Sequence, residues 1–229
     1  MGSPGIHNKL IAEIAAPLLR PLGFQRQGRS RLWFADRCWW LAVIDFSPSG
    51  WSRGSYLNVA AKWLWRGDAV WSFDFSLTRC TRPQQFVSFE NESQFRTDFH
   101  AMAQTAAADA RDLFDAFPDI RAAANRLRPF AETPGLPWDL YHAAVAAFLV
   151  GRSKEAKRYF TKLGTPNVDD FPGALWLHEL RSEARVLAEM CSDRVRFLAL
   201  LNQQLQRSRA AFRLPPAAPH ALGTPLSAV

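Results

Sequence analysis

A strict alternation of apolar and polar residues in the N-terminal half constrains the fold more than any other feature of this chain. Every odd-numbered residue is apolar in the ranges 57–65 and 71–77, and the even-numbered residues of 71–78 are all polar. Successive side chains of a β-strand point to opposite faces of the sheet, so both ranges predict strands. The connection Arg66–Asp68 is short and contains a glycine. We therefore predict that the two strands are antiparallel neighbours in a hairpin.

Three further ranges between Gly23 and Glu90 also predict strands. Residues 39–46 are apolar on both faces as far as Asp45, which is typical of a central strand. Residues 29–34 are shorter and more polar, as edge strands tend to be, and 86–90 complete the series. The stretch therefore predicts an antiparallel sheet of about five strands.

Helical periodicity surrounds the predicted sheet. Apolar residues recur every four positions over 6–18, and at three- and four-residue steps over 95–117. We expect both helices to pack on the sheet face that carries Trp71, Phe73 and Phe75. The predicted fold class is α+β, with helices on one face of the sheet.

Composition along the chain predicts a division into domains. The proline- and glycine-containing segment 132–137 is the clearest linker, so we predict an α+β domain over 1–131. The pattern over 137–214 is wholly helical and predicts an all-α C-terminal region. Residues 215–229 are rich in proline and alanine, which predicts a disordered tail.

Two segments resemble known families. The run Pro17–Gly28, the aromatic pair Trp33–Phe34 and the segment Ser55–Val59 are similar to the opening half of the bacterial domain of unknown function 4304 family. That resemblance implies a bacterial α+β protein, and it supplies no activity because no catalytic residues can be transferred. The range 147–160 resembles the middle of a tetratricopeptide hairpin. Such hairpins need stacked copies and only one copy is visible, which favours an ordinary antiparallel helix pair.

Composition and cysteine spacing also indicate the compartment. The chain has 229 residues, 48% of them hydrophobic, but no uninterrupted apolar run approaches the roughly 20 residues that a membrane-spanning helix needs. The N-terminal region contains no secretory signal pattern. Cys38, Cys80 and Cys191 lie far apart and predict free thiols in a reducing compartment. We therefore predict a cytoplasmic protein.

Motifs that carry chemistry are not found in the sequence. His178 begins a run similar to a zinc-protease helix, but the second histidine four residues later is missing. Asp169 and Asp170 precede a Phe-Pro-Gly turn and are typical of a helix start rather than of a catalytic pair. There is no phosphate-binding glycine loop and no Cys-x-x-Cys motif. The sequence therefore predicts no catalytic residue, no metal ligand and no cofactor.

One constellation remains as a candidate binding surface. The formal net charge is +7, and basic residues alternate with aromatic ones along the predicted strands. Cations that follow a backbone and aromatic rings that stack bases are what single-stranded nucleic acid requires. The candidate binding residues are Arg29, Arg31, Trp33, Arg37, Arg53, Tyr56, Asn58, Lys62 and Arg66, with Trp39, Trp40 and Trp65 beside them.

Three hypotheses for the function stay open. The first is that the chain is a non-catalytic binding or protein-interaction module with a protein partner, for example an immunity or accessory factor. Alternatively, it binds nucleic acid through the basic strands, and the salt dependence of binding separates these two hypotheses. The third hypothesis is an enzyme whose residues converge only in the folded chain. We prefer the first hypothesis.

Overall fold

A computed structural model describes residues 4–77, 85–133, 136–165, 174–218 and 221–223. The chain divides into two compact units. The first comprises Met1–Trp63 and Val70–Asp115, and the second comprises Leu64–Ala69 and Ala116–Val229.

The first unit combines an antiparallel sheet with two helices. Helix α1 spans Pro4–Leu19, and helix α2 spans Glu92–Ala116. The strands are β1 (Gln25–Arg26), β2 (Leu32–Asp36), β3 (Trp40–Pro48), β4 (Gly54–Trp63) and β5 (Phe86–Ser88). They are hydrogen-bonded in the order β1-β2-β3-β4-β5, and every pair is antiparallel. The predicted α+β fold class is confirmed.

One face of the sheet packs on helix α2. The rings of Phe46 and Phe99 lie 4.8 Å apart between their centroids, and those of Trp40 and Phe114 lie 6.3 Å apart. Phe46 and Trp40 have the same parity on β3, so their side chains share a face. Asn91 caps α2, because its side chain accepts a hydrogen bond from the backbone N–H of Gln94 at 3.0 Å. The sheet is therefore covered on one face by helix, as predicted.

The predicted strand over 71–78 is wrong in the part that the structure describes. Phe75 alone forms an antiparallel bridge with a strand residue, Ala61. The carboxylate of Asp74 accepts the backbone N–H of Trp63 at 2.8 Å, where a regular ladder would offer a carbonyl. This side chain interrupts the ladder. The predicted hairpin is therefore reduced to one bridge.

The apolar row predicted for this segment is also split. Phe75 is 2% exposed, but Phe73 is 45% exposed. The ring of Trp71 contacts Phe34, with 5.2 Å between centroids. Phe34 pairs with Val43, which in turn pairs with Ala60. Since Ala60 and Ala61 are adjacent in β4, Phe34 lies on the face opposite to Ala61. The three aromatic residues thus do not form one buried face.

The second unit contains five helices among the described residues. They are α3 (Ile120–Glu132), α4 (Pro137–Leu149), α5 (Ser153–Gly164), α6 (Leu175–Met190) and α7 (Arg194–Ala211). Helices α3 to α6 pack on one another in chain order, and α4 is buried along its length from Asp139 to Leu149. Asp193 caps α7 by accepting the N–H of Arg196 at 3.0 Å. The all-α character predicted for the C-terminal region is confirmed.

The units differ from the predicted domains at two places. Helix α3 belongs to the second unit, so the division precedes it rather than following it at the 132–137 linker. Residues 215–218 do not fit the predicted disordered tail, because the carboxamide of Gln206 bonds both the N–H and the carbonyl of Ala217. Arg209 also donates to the carbonyl of Pro215 at 2.6 Å. This part of the tail is anchored on α7.

Membrane-spanning character is absent from the described helices, none of which combines the length and the apolar content needed to cross a bilayer. The described cysteines, Cys38 and Cys191, form no disulfide, and the first is exposed and the second buried. Burial raises the pKa of the Cys191 thiol to about 11. Cys80, Asp169 and Asp170 lie outside the described residues.

Candidate functional site

The aromatic part of the predicted binding surface is buried. Trp33 and Trp40 are each 1% exposed, and Trp39 and Trp65 are also buried. Trp65 donates its indole N–H to His142 at 3.1 Å. Rings in these positions present no face on which a base can stack. The expectation of an aromatic-rich sheet surface is therefore wrong for these four residues.

The basic residues of that surface do not converge either. Lys62 is buried, with its ammonium 3.9 Å from the carboxylate of Asp74. Arg31 precedes β2 and bonds Asn8 and Ser55 instead. Arg66 belongs to the second unit, where its guanidinium lies 3.9 Å from the centroid of the Trp138 ring. The sheet therefore presents no single basic face.

The remaining predicted residues have separate environments. Asn58 donates to Ser47 at 2.9 Å, and the ring of Tyr56 packs on Phe86 with 4.7 Å between centroids. The guanidinium of Arg37 lies 4.5 Å from the centroid of the Phe114 ring. Arg29 and Arg53 have exposed side chains. Of the nine predicted residues, Arg31 and Arg53 are brought together, and they line the same cleft.

This cleft lies in the first unit, beside the N-terminal part of α1 and the turn between β3 and β4. Its volume is about 480 Å³, within the range of roughly 300–1,000 Å³ that is usual for ligand pockets. The lining residues are Ile6, His7, Arg31, Pro48, Ser49, Gly50, Trp51, Ser52, Arg53, Gly54 and Phe89. We call this set the β3–β4 cleft.

Arg31 is held at the wall of the cleft by neutral partners. Its Nε donates to Asn8 Oδ1 at 2.7 Å, and its Nη1 donates to Ser55 Oγ at 3.1 Å and to the carbonyl of Gly54 at 3.4 Å. Burial lowers the pKa of Arg31, and the nearby Asp45 carboxylate opposes this shift. The guanidinium forms no salt bridge with any described carboxylate. The cleft thus contains a half-buried, oriented cation.

His7 supports Arg31 from helix α1. Its Nδ1 lies 3.3 Å from Nη2 of Arg31, and since arginine is only a donor, Nδ1 is the acceptor and the imidazole is neutral. The ring packs against Phe89 and Phe95, with centroids 5.1 and 4.5 Å away. Burial, and then the charges of Arg31 and Arg53, lower the pKa of His7 to about 4. His7 is therefore uncharged at neutral pH and adds no charge to the cleft.

The β3–β4 turn supplies the outer wall of the cleft. Ser49 Oγ accepts the backbone N–H groups of Trp51 and Ser52 at 3.2 and 3.3 Å, which fixes the turn. The side chain of Trp51 is then left 98% exposed. Arg53 is exposed two residues later, and no hydrogen bond or salt bridge of its side chain is present within the described part of the chain. An exposed aromatic ring and an exposed cation therefore both line the cleft.

The electrostatic character of the cleft is positive. None of its eleven lining residues is acidic, whereas two are arginines. Helix α1 begins at Pro4, so its positively polarised end lies on the same side as Ile6 and His7. The combination suits an anionic group that also has an apolar part.

Sequence reasoning missed three residues of this site. His7, Ser49 and Trp51 line the cleft but are not among the residues predicted from the sequence. The sequence does contain one signal, namely Trp51 inside a short glycine- and serine-rich turn. Turns are usually formed by small and polar residues, so an indole there is not explained by the turn itself. The proximity of His7 to Arg31 has no signal in the sequence, since 24 positions separate the two residues.

Metal ligands and acid–base groups are the side chains on which a catalytic centre would depend. No three side chains among their histidines, cysteines, aspartates and glutamates are grouped to hold a metal ion. The cleft itself contains one titratable base, the neutral His7, and no carboxylate to act with it.

Comparison with known proteins adds no relative from which a role could be transferred. No protein-family model, no curated protein and no solved structure matches this chain. The resemblance to the domain of unknown function 4304 family stays a prediction, and the candidate site rests on its own geometry.

Proposed function

We propose that this protein is a non-catalytic interaction module whose first unit binds a protein partner at the β3–β4 cleft. The observation that carries the proposal is Trp51, which is 98% exposed and lines the same cleft as two arginines that form no salt bridge with any described carboxylate. Tryptophan and arginine are the residue types most enriched among the energetically dominant residues of protein interfaces. Their clustering at one cleft favours a partner surface over general solvent exposure.

The tryptophans predicted to stack bases, Trp33, Trp39, Trp40 and Trp65, are buried, so the proposal does not include nucleic acid. Membership of the domain of unknown function 4304 family, and a role as an immunity or accessory factor in a bacterial cytoplasm, are compatible with such a module. These identities remain part of the proposal.

Site-specific photocrosslinking tests the proposed function. A photoreactive phenylalanine analogue replaces Trp51 in the full chain, which is expressed in the cell that encodes it. Illumination is expected to give a discrete adduct with one protein. The matched control places the same analogue at Val195, which is 64% exposed in the second unit. Position 195 is expected to give no such adduct.

Loss of the adduct on an additional Arg53→Gln substitution would assign the contact to the cleft. An equal pattern of adducts from positions 51 and 195 would contradict the proposal, because it would mean that the cleft has no preferred partner. Crosslinking to RNA or DNA instead of protein would contradict it as well.

A further inference from the structure

We propose that the β3–β4 cleft recognises an acidic peptide segment of the partner, with carboxylates bound by Arg31 and Arg53 and an apolar side chain against Trp51 and Ile6. This inference rests on the proposed function and names the chemistry of the partner.

The donor arrangement of Arg31 fits a carboxylate oxygen. Of its five N–H hydrogens, one goes to Asn8, two on Nη1 go to Ser55 and Gly54, and one on Nη2 goes to His7. One Nη2 hydrogen is left for a ligand. The four internal bonds hold the guanidinium in place, so a bound carboxylate oxygen requires little further ordering of this side chain.

The cleft fits a phosphate group less well than a carboxylate. Phosphate sites in proteins are usually cradles of several converging backbone N–H groups. In this turn the N–H groups of Trp51 and Ser52 are already bonded to Ser49 Oγ. Arg31 has one remaining N–H donor and Arg53 is exposed. Two such cations suit separate carboxylates better than one phosphate that needs many donors.

The apolar lining of the cleft indicates a ligand that has an apolar side chain as well as negative charge. Trp51 is 98% exposed and Ile6 is 43% exposed, and both line the same cavity as the arginines. A side chain such as leucine, placed between acidic residues, would cover these surfaces and exclude water from the arginine–carboxylate contacts. Charge complementarity, with no acidic residue in the lining, selects against basic or neutral segments.

Titration of the ¹⁵N-labelled full chain with short peptides tests this inference. The probes are acetyl-Glu-Leu-Glu-Leu-Glu-amide and its neutral counterpart, in which every Glu is Gln. Inorganic phosphate and adenosine monophosphate serve as further probes. The readout is the indole N–H signal of Trp51, assigned by its loss in Trp51→Phe. The Kd obtained from this signal is expected to be at least about tenfold lower for the acidic peptide than for the neutral one. The Kd of the acidic peptide should rise as the salt concentration rises.

A matched pair of variants locates the contact. Arg53→Gln and Arg29→Gln remove the same charge from exposed side chains, but Arg29 does not line the cleft. Arg53→Gln is expected to weaken acidic-peptide binding about fivefold or more, and Arg29→Gln less than twofold.

Three results would overturn the inference: equal binding of the acidic and neutral peptides, equal effects of the two variants, or binding of the phosphate compounds without the acidic peptide. These failures are separate from failure of the proposed function. A discrete protein adduct from position 51 that survives Arg53→Gln would leave the interaction module standing and remove the acidic segment. Binding of the acidic peptide without any protein adduct would support recognition of an acidic segment and contradict the proposed interaction module.

Discussion

The stability of the first unit should respond very differently to truncation of two phenylalanines that the sequence pattern treats alike. Phe99 on α2 is fully buried, with ring centroids 4.8 Å from Phe46 and 5.1 Å from Phe95. Phe73, in the segment predicted as a strand, is 45% exposed. We expect Phe99→Ala to be strongly destabilising and Phe73→Ala to be nearly neutral.

The expected magnitudes follow from burial. Removal of a fully buried phenylalanine side chain loses its transfer free energy and leaves a cavity, and such changes typically cost about 3–5 kcal/mol. The contacts of Phe99 with Phe46 and Phe95 place it in the upper part of this range. For Phe73, nearly half of the side chain is already in water and the cavity opens to solvent. Its truncation should cost about 1 kcal/mol or less.

Urea denaturation followed by circular dichroism gives the free energy of unfolding of each variant. Hydrogen exchange of the β3 and β4 amides reports the stability of the sheet itself, which matters because the chain has two compact units. A loss below about 2 kcal/mol for Phe99→Ala would refute the packing of α2 on the sheet. An equal loss of stability for Phe73→Ala and Phe99→Ala would support the predicted single buried row of Trp71, Phe73 and Phe75.

Three further predictions concern polar and backbone features of the first unit. Asp74→Ala should cost about 3–5 kcal/mol, because it leaves the buried ammonium of Lys62 without this carboxylate; urea denaturation measures the loss. Gly54→Ala should cost about 1–3 kcal/mol, since its Cβ would lie 2.5 Å from the carbonyl oxygen of Val87; melting temperature reports the change. Stability should fall as pH drops from about 6.5 to about 4, because the unfolded chain binds a proton that His7 in the folded chain does not; denaturation at several pH values measures this.

Matched controls sharpen these predictions. The double variant Lys62→Met with Asp74→Ala should lose less stability than Asp74→Ala alone, and an equal loss would show that the ion pair is not the cause. Gly50→Ala should be neutral, because no heavy atom lies within 4 Å of its Cβ position. His7→Gln should flatten the pH dependence between 6.5 and 4. An unchanged slope would assign the effect to other titrating groups.

The predicted aromatic and basic surface shows how an interface inferred from sequence can divide on folding. The predicted basic residues lie close together in the chain, yet Arg31 and Lys62 have different partners in the folded protein. Lys62 is then buried beside Asp74, while Arg31 remains at the edge of the β3–β4 cleft. Two of the nine predicted residues, Arg31 and Arg53, belong to the candidate site.

Local periodicity by itself determined the fold class, the central strands and most of the helices, because alternation and the four-residue repeat are local consequences of backbone geometry. The caps at Asn91 and Asp193 are likewise local, because a side chain bonds a backbone group three residues away. Tertiary structure alone decided that Asp74 interrupts the ladder and that Phe73 faces water. It also decided that His7 meets Arg31, since contacts between residues distant in the chain depend on how the sheet and helices pack.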